Sequence, residues 1–434
     1  MSRIYLLTGA AGLLGSNISR QLIEKGESVR AFVLENDPAA KYIPEGAEIV
    51  YGDLCNVDSL DKLFDVPESS DVPESSEVYV IHSASIVTLR PEPNPKVYAV
   101  NVGGTENIIN KCLEYKVNKL VYISSTSAIP ELPHGQKIKE VDHFLPTDGL
   151  VGYYAVTKAE ASQKVLDAVH EHPEFDASIV HPSGICGPND YSFGPVAQIV
   201  SQYMNGDMKI GLEGTFNSVD VRDLADGVIS CCHNGKRGEC YIMSNELVTM
   251  KDLYDLINGA ADLDIHASIL SKGVANVAVK ILKIQSKFTG QEPLLTEFGM
   301  YNLTRNNDYD CSKAEADLGF HCRPFSETIK DEVVWLQEEA AKNPEAAEDA
   351  EKTVAAVKER VKFGDIANII VKKDDEVLFT LPAAGSVAAG IGGILFAPYA
   401  VIPGAIIAYG QDVQVQLETK DGNILDIRGH ELKA

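Results

Sequence analysis

The tightest constraint on the fold lies near the start of the chain, in RIYLLTGAAGLLGSNISRQLIEKG. Ile4 to Leu7 is a short apolar run of the kind buried in a parallel sheet. Gly9, Gly12 and Gly15 follow, and Ile18, Leu22 and Ile23 then recur at helical spacing. Each glycine has a physical task. The first permits a tight turn, the second lets a pyrophosphate approach the backbone, and the third lets helix and strand pack closely. Free N–H groups and the dipole at the helix N-terminus favour the negative charge. Further strand patterns are SVRAFVL, AEIVYGD, EVYVIHSAS, KLVYISS and ASIVHPSG, with helical stretches around 57–65, 94–116 and 155–172. The alternation predicts an α/β fold with a doubly wound parallel sheet.

At 434 residues the chain has room for two or three domains. Its net charge of −25 argues against binding nucleic acid or an anionic membrane, since neither polyanion would be attracted. The eight cysteines form no Cys-x-x-Cys and no His/Cys cluster with metal spacing, so no metal site is expected. They read as reduced structural thiols, and MSRIYLLTGA lacks the layout of a signal peptide; a cytoplasmic protein is expected.

The stretch GYYAVTKAE, 152–160, holds Tyr154 four places before Lys158. Among 17 tyrosines, Tyr-x-x-x-Lys occurs three times, also at Tyr115/Lys119 and Tyr309/Lys313. About one match is expected by chance, so spacing alone decides nothing. Tyr115/Lys119 lies just before a strand, on the far side of the sheet. Tyr309/Lys313 lies past the nucleotide-binding pattern, where Asp310 or Ser312 could cap a short helix. Tyr154/Lys158 opens a helix after the strand ending in Ser124 and Ser125, and ligands of such sheets bind beyond the carboxyl ends of the strands. Residues i and i+4 share a helix face, so Lys158 is expected to lower the pKa of Tyr154 by its charge. A phenol so tuned can pass a proton at a carbonyl or carbinol oxygen while a nicotinamide moves hydride, and a serine beside it can hold that oxygen.

With these residues in place, the first 336 residues resemble the extended short-chain dehydrogenase/reductases, the NAD-dependent epimerase/dehydratase family. The motifs are TGAAGLLG, GDL at 52–54, HSAS at 82–85, NVGGTENI at 101–108, YISSTS, YYAVTK, HPSGICGP at 181–188 and VDVRDLADG at 219–227. Within it the chain is most similar to the dihydroflavonol-reductase and 3β-hydroxysteroid-dehydrogenase type, through GECYIMSNELVTMKDLYDLI and YDCSKAEADLGF. The resemblance implies a Rossmann fold with a small substrate lobe, a homodimer, and a nicotinamide dinucleotide. It implies Tyr154 as acid/base, Lys158 as its partner on the nicotinamide ribose, and Ser125 in the serine place, with Ser124 as rival. It further implies Gly9, Gly12, Leu14 and Gly15 around the phosphates, Asp53 facing the adenine and Leu54 packing on it. Ala84 would line the cleft, Asn101 support the site, and Pro182 and Ile185 flank the nicotinamide. His181 and Cys186 stand where Arg and Tyr are usual. The ribose-binding place is Val33, with Leu34 next and Glu35 nearby. An acid there would repel a 2′-phosphate, which favours NAD over NADP.

Other segments read as structure. The tandem repeat DVPESSDVPESS, 65–76, reads as a polar surface loop, and His82 as a core or cleft-wall histidine. After Trp335 an acidic connector and helix are expected over 337–363, then a small domain over 364–434 with two β-hairpins, IANIIVKKDDEVLFTL and DVQVQLETKDGNILDIRG. Between these, Leu381 to Gly410 carries no charge, but Pro398, Pro403 and six glycines interrupt it. Three readings stay open for it: a buried helical hairpin or oligomer contact, a membrane-associated hairpin, or a full span. The tail resembles a small bacterial domain to which no activity attaches.

The chemistry points to an oxidoreductase acting on a carbonyl/alcohol pair of a small organic substrate. Two other readings stand beside it: a nucleotide-sugar epimerase or dehydratase that keeps its NAD, and a cofactor-binding scaffold acting through its tail. The Ser/Tyr/Lys set argues against the scaffold, because a pure binder does not need it.

Overall fold

The computed structural model describes residues 3–66, 76–88, 91–145, 149–191, 193–208, 210–275, 297–342, 366–373, 376–382, 413–419 and 424–426. The chain divides into two compact units, one of residues 1–192, 217–247 and 305–325, the other of 193–216, 248–304 and 326–434.

The first unit is built on a seven-stranded sheet of β1 (Arg3–Thr8), β2 (Ser28–Val33), β3 (Glu48–Tyr51), β4 (Glu77–His82), β5 (Lys119–Ile123), β6 (Ala177–Pro182) and β10 (Cys240–Met243). The order is β10-β6-β5-β4-β1-β2-β3, and every pair is parallel. Side chains of a strand alternate between faces, and β1 shows the result. Tyr5 and Leu7 enter one core with Ile18 and Leu22 of α1 (Leu13–Glu24) and Leu224 and Val228 of α7 (Val221–Asn234). Ile4 and Leu6 enter the other, with Leu60 of α2 (Val57–Phe64), Ile108 of α4 (Gly104–Glu114) and Val165 of α5 (Tyr153–Glu171). A strand buried on both faces has no polar position, hence the unbroken apolar run. Strand order reverses at β1, which pairs with β2 on one side and β4 on the other, and such a switch point opens a crevice beyond the carboxyl ends. The doubly wound parallel sheet expected from the sequence is therefore present.

The helical stretch expected over 94–116 is not uniform. It runs as α3 (Pro95–Tyr98), a π-helical turn over Ala99–Gly103, and α4. Asn101 sits in that π turn, which widens the helix and re-aims its side chain. Beside the sheet, β7 (Gly184–Cys186) pairs in parallel with β9 (Thr215–Asp220) through Gly184–Ser218 and Cys186–Asp220.

In the second unit, β8 (Ile210–Leu212) pairs with β12 (Ser268–Leu270), and a short strand β11 (Leu247–Thr249) precedes α8. Tyr203 of α6 (Pro195–Met204) stacks on Tyr254 of α8 (Met250–Ala261), centroids 4.3 Å apart. The helix Phe325–Lys342 runs unbroken past residue 336, so the break expected there falls within a helix; Trp335 is a buried residue inside it. Both C-terminal hairpins form: β13 (Ile366–Lys373) with β14 (Glu376–Pro382), and β15 (Val413–Thr419) with β16 (Ile424–Asp426). They join through β13–β15 into one antiparallel sheet, β14-β13-β15-β16. Most of the tandem repeat, the expected helix after 343 and the apolar run from 383 lie outside the described residues. Among the described residues no helix is long and apolar enough to cross a membrane.

Candidate active site

The glycine turn connects β1 to α1 at the switch point. Gly9 takes φ +69°, a conformation that disfavours any side chain, and a Cβ there would stand 2.8 Å from the Ala84 backbone. The turn is thus wedged against the chain leaving β4. A Cβ on Gly15 would stand 2.1 Å from the Gly9 carbonyl oxygen. The third glycine therefore makes room for the turn itself, where the sequence suggested helix-on-strand packing. Gly12 caps α1, and a Cβ added there would meet nothing nearer than 3.4 Å. The first turn of α1 carries no acidic residue. Ser16 makes the first helical bond, to Gly12, so the N–H groups of Leu13, Leu14 and Gly15 precede it and face out of the helix end. An open glycine, three N–H groups ahead of the first helical bond and no carboxylate in the first turn fit a dinucleotide's pyrophosphate. Leu14 can contribute only its backbone, because its side chain is buried in the α1–α7 core.

The other expected cofactor residues fall around this point with different freedoms. Glu35 follows β2 and is exposed, as is Leu34. Lys41 lies over the Tyr42 ring, and that ring stacks on Tyr191 at 3.9 Å. Asp53 is exposed, and its carboxylate accepts the Cys55 N–H at 2.8 Å. Leu54 is buried with Phe32, Val50 and Leu60, and α4 approaches it so closely that a Cβ on Gly104 would stand 3.0 Å away. Pro182 closes β6 and is buried; Ile185 of β7 is half-buried.

Asn101 also has a task other than lining the cofactor. Its Oδ1 accepts the Ile86 N–H at 2.7 Å, and its Nδ2 donates to the Ile86 carbonyl at 2.9 Å and to Thr157 Oγ1 at 3.1 Å. It ties the segment after β4 to α5 at the residue before Lys158. His82 is a core histidine. Its ring nitrogens meet Thr8 Oγ1 at 2.7 Å and Thr105 Oγ1 at 3.0 Å, and burial pulls it down to about 3, so it stays neutral.

Tyr154 lies in the first turn of α5, after Gly152 at φ +92°. The Ser125 and Ser85 side chains lie beside its hydroxyl, and both pull its pKa down. Ser85, three residues beyond β4, is not among the residues the sequence singled out; its place past a strand end on the crevice side was the available signal. Burial pushes Tyr154 up to about 12, against the two serines, which pull it down. Lys158 does not produce the expected lowering. Its Nζ lies 6.0 Å from the Tyr154 ring centroid and 5.0 Å from that of Tyr122, and donates to the Ile123 carbonyl at 2.8 Å. Burial pulls the Lys158 ammonium down to about 7, so near neutral pH its charge is only partly present. The two rival serines differ in their surroundings. Ser124 is buried with its Oγ 2.7 Å from Ser162 Oγ, whereas Ser125 accepts the Ser127 N–H at 3.1 Å and pulls the Tyr154 pKa down.

The remaining Tyr-x-x-x-Lys pairs lie elsewhere. Lys119 opens β5, at the amino end of the sheet, bound to Asp176 at 2.6 Å, while the Tyr115 hydroxyl bonds Asp61. Tyr309 is buried beside Ile138, Lys313 pairs with Glu239, and Asp310 caps Ser312 at 3.0 Å.

Comparison with known proteins places this geometry. The model of the NAD dependent epimerase/dehydratase family matches residues 5–243, and that of a domain of unknown function, DUF4342, matches 339–419. A putative dihydroflavonol 4-reductase of Synechocystis sp. is 27% identical over 345 residues, covering 78% of this chain and 95% of that protein. The sterol-4-alpha-carboxylate 3-dehydrogenase, decarboxylating, of Saccharomyces cerevisiae is 27% identical over 361 residues, covering 78% and 99%. Among solved structures, the Thermus thermophilus UDP-glucose 4-epimerase in complex with NAD aligns with a TM-score of 0.60 at 19% identity, covering 77% of this chain and 99% of that one; at that identity the likeness is one of fold.

Proposed function

We propose that this chain, which belongs to the NAD dependent epimerase/dehydratase family, interconverts a carbonyl and a secondary alcohol on a small organic substrate with a nicotinamide dinucleotide. The observation that carries the reading is the placement of Tyr154 beside Ser125 and Ser85, beyond the carboxyl ends of β5 and β4. Bound NAD would supply the hydride acceptor, or its reduced form the donor. Gly12 and the N–H groups of Leu13, Leu14 and Gly15 would hold its pyrophosphate, and Glu35 would disfavour a 2′-phosphate there, so NAD is preferred over NADP.

The chain's own groups then have defined work. Ser125 and Ser85 orient the phenol and lower its pKa from the level burial imposes. Tyr154 gives its proton to the substrate oxygen during reduction, or takes it during oxidation. Lys158, with a pKa near 7, can carry or release a proton at working pH. Names of relatives at 27% identity, a dihydroflavonol reductase and a sterol-carboxylate dehydrogenase, favour net redox on a ring-borne oxygen over epimerisation.

The test is to denature the purified chain, identify released nicotinamide by mass, and titrate NADH and NADPH by fluorescence. Reversible binding with NADH preferred is the expected result. A dinucleotide that stays bound and does not exchange would favour the epimerase chemistry. Tyr154→Phe should bind cofactor normally and lose turnover by about 10²–10⁴-fold; retained turnover would remove Tyr154 from the chemistry.

A further inference from the structure

The sequence marks His181 as a departure, histidine where arginine is usual, and the reading above gives it no role. It lies in β6, fully buried, with its ring stacked on Phe144 at 5.2 Å. Its Nδ1 is 3.0 Å from the Ser125 carbonyl oxygen. A carbonyl can only accept, so Nδ1 carries the hydrogen and Nε2 holds the lone pair. The same carbonyl also accepts the Ala128 N–H at 3.0 Å. Both lone pairs of the Ser125 carbonyl are therefore engaged, one by its own 3₁₀ turn and one by a side chain 56 residues away. Ser125 itself is extended (φ −164°, ψ 150°), at the point where β5 gives way to that turn. Its hydroxyl direction toward Tyr154 depends on how this peptide is held.

We propose that His181 is a positioning residue: through its Nδ1–H bond to the Ser125 carbonyl it sets the orientation in which the Ser125 hydroxyl engages Tyr154. The inference rests on the assignment of Tyr154 and Ser125 in the proposed function. Burial, with Lys158 and Lys313 adding their charges, holds the imidazole down to about 4, against the Ser125 carbonyl, which pulls it up. The ring is thus neutral throughout the working range and keeps a single donor. A protonated arginine at this place would bring several donors and a fixed charge beside Lys158; histidine brings one donor and none.

Isosteres separate the two ring nitrogens. His181→Asn places an amide N–H where Nδ1–H stands; His181→Gln places one where Nε2 stands; His181→Leu removes both. The expected result is turnover near wild type for His181→Asn. His181→Gln and His181→Leu should lose about tenfold in kcat with NADH affinity unchanged. In those two, the apparent pKa of the acid/base limb of the pH–rate profile should rise, since Ser125, which lowers the Tyr154 pKa, is no longer held toward it. In a Ser125→Ala background, His181→Leu should cost almost nothing further, because the path it acts through is gone. Equal turnover in all three variants would overturn the inference. So would equal losses accompanied by lost NADH binding or lowered thermal stability, which would make His181 a packing residue. Full additivity with Ser125→Ala would also overturn it. Tyr154→Phe is run alongside: if it keeps turnover, the site assignment itself fails, which is a different outcome from an inert His181.

Discussion

The two ends of β5 carry the same sequence spacing and opposite chemistry. Lys119 opens the strand, four residues after Tyr115; Lys158, four residues after Tyr154, reaches the carbonyl of Ile123, which closes it. Both lysines are buried, to 3% and 1% exposure. Lys119 meets a carboxylate, Asp176, and the Gly235 carbonyl. Lys158 bonds a neutral carbonyl, and burial alone dominates its shift. A buried ammonium with a counter-ion is part of the scaffold. One bonded to a carbonyl is held near its neutral form, which costs stability and suits proton chemistry. The tyrosines differ in parallel: Tyr115 is exposed and bonds Asp61, while Tyr154 stands beside two serines that pull its pKa down.

The sharpest way to break this comparison is to exchange each lysine for methionine. Lys158→Met should cut kcat/KM by about 10²-fold or more while leaving the fold intact. Lys119→Met should keep turnover per folded molecule but lower stability by about 1–3 kcal/mol, because Asp176 loses its partner yet remains partly solvated. Activity lost in both, or stability lost in both, would erase the distinction.

A pH series sharpens it. The folded-state pKa of Lys158 lies below the value of 10.5 in an unfolded chain, so the folded state binds fewer protons between the two. The burial penalty is fully present below about 7 and fades as pH rises toward 10.5. Thermal denaturation near pH 6.5 should therefore find Lys158→Met more stable than wild type, by up to a few kcal/mol, with the gap closing toward pH 10. A gap that does not depend on pH would mean Lys158 is not buried as a free amine.

The neighbouring serines give a smaller contrast. Ser125→Ala should slow turnover by about 10-fold or more with little effect on melting. Ser124→Ala, which strips a partner from Ser162, should cost about 1 kcal/mol of stability and leave turnover unchanged. Tyr115→Phe should do least, within about 0.5 kcal/mol and without kinetic effect, since its bond to Asp61 is long and exposed. Equal kinetics for Ser124→Ala and Ser125→Ala would reopen the choice between them.

Several features were readable in advance because they are local. The apolar run before Gly9 and the helical spacing after Gly15 are properties of one continuous segment, and so are the two C-terminal hairpins. What was missed is non-local. The π turn that aims Asn101 at Ile86 hides inside an ordinary helical pattern. That α4 packs against Leu54 is likewise invisible in its local sequence. The expectation that Lys158 lowers Tyr154 came from helix-face geometry, which says nothing of how deeply that face is buried. The break placed at 336 followed composition, whereas the helix Phe325–Lys342 continues through it.

The chain's periodicity and glycine placement were enough to specify a doubly wound parallel sheet with a glycine turn after its first strand, because strand period, helix period and positive φ are set over a few adjacent residues. What each lysine meets was decided only in three dimensions. Lys119 finds its carboxylate 57 residues on, and Lys158 finds its carbonyl 35 residues back. A side chain's protonation follows from the charges and solvent around it, and those are brought together by the packing of distant segments.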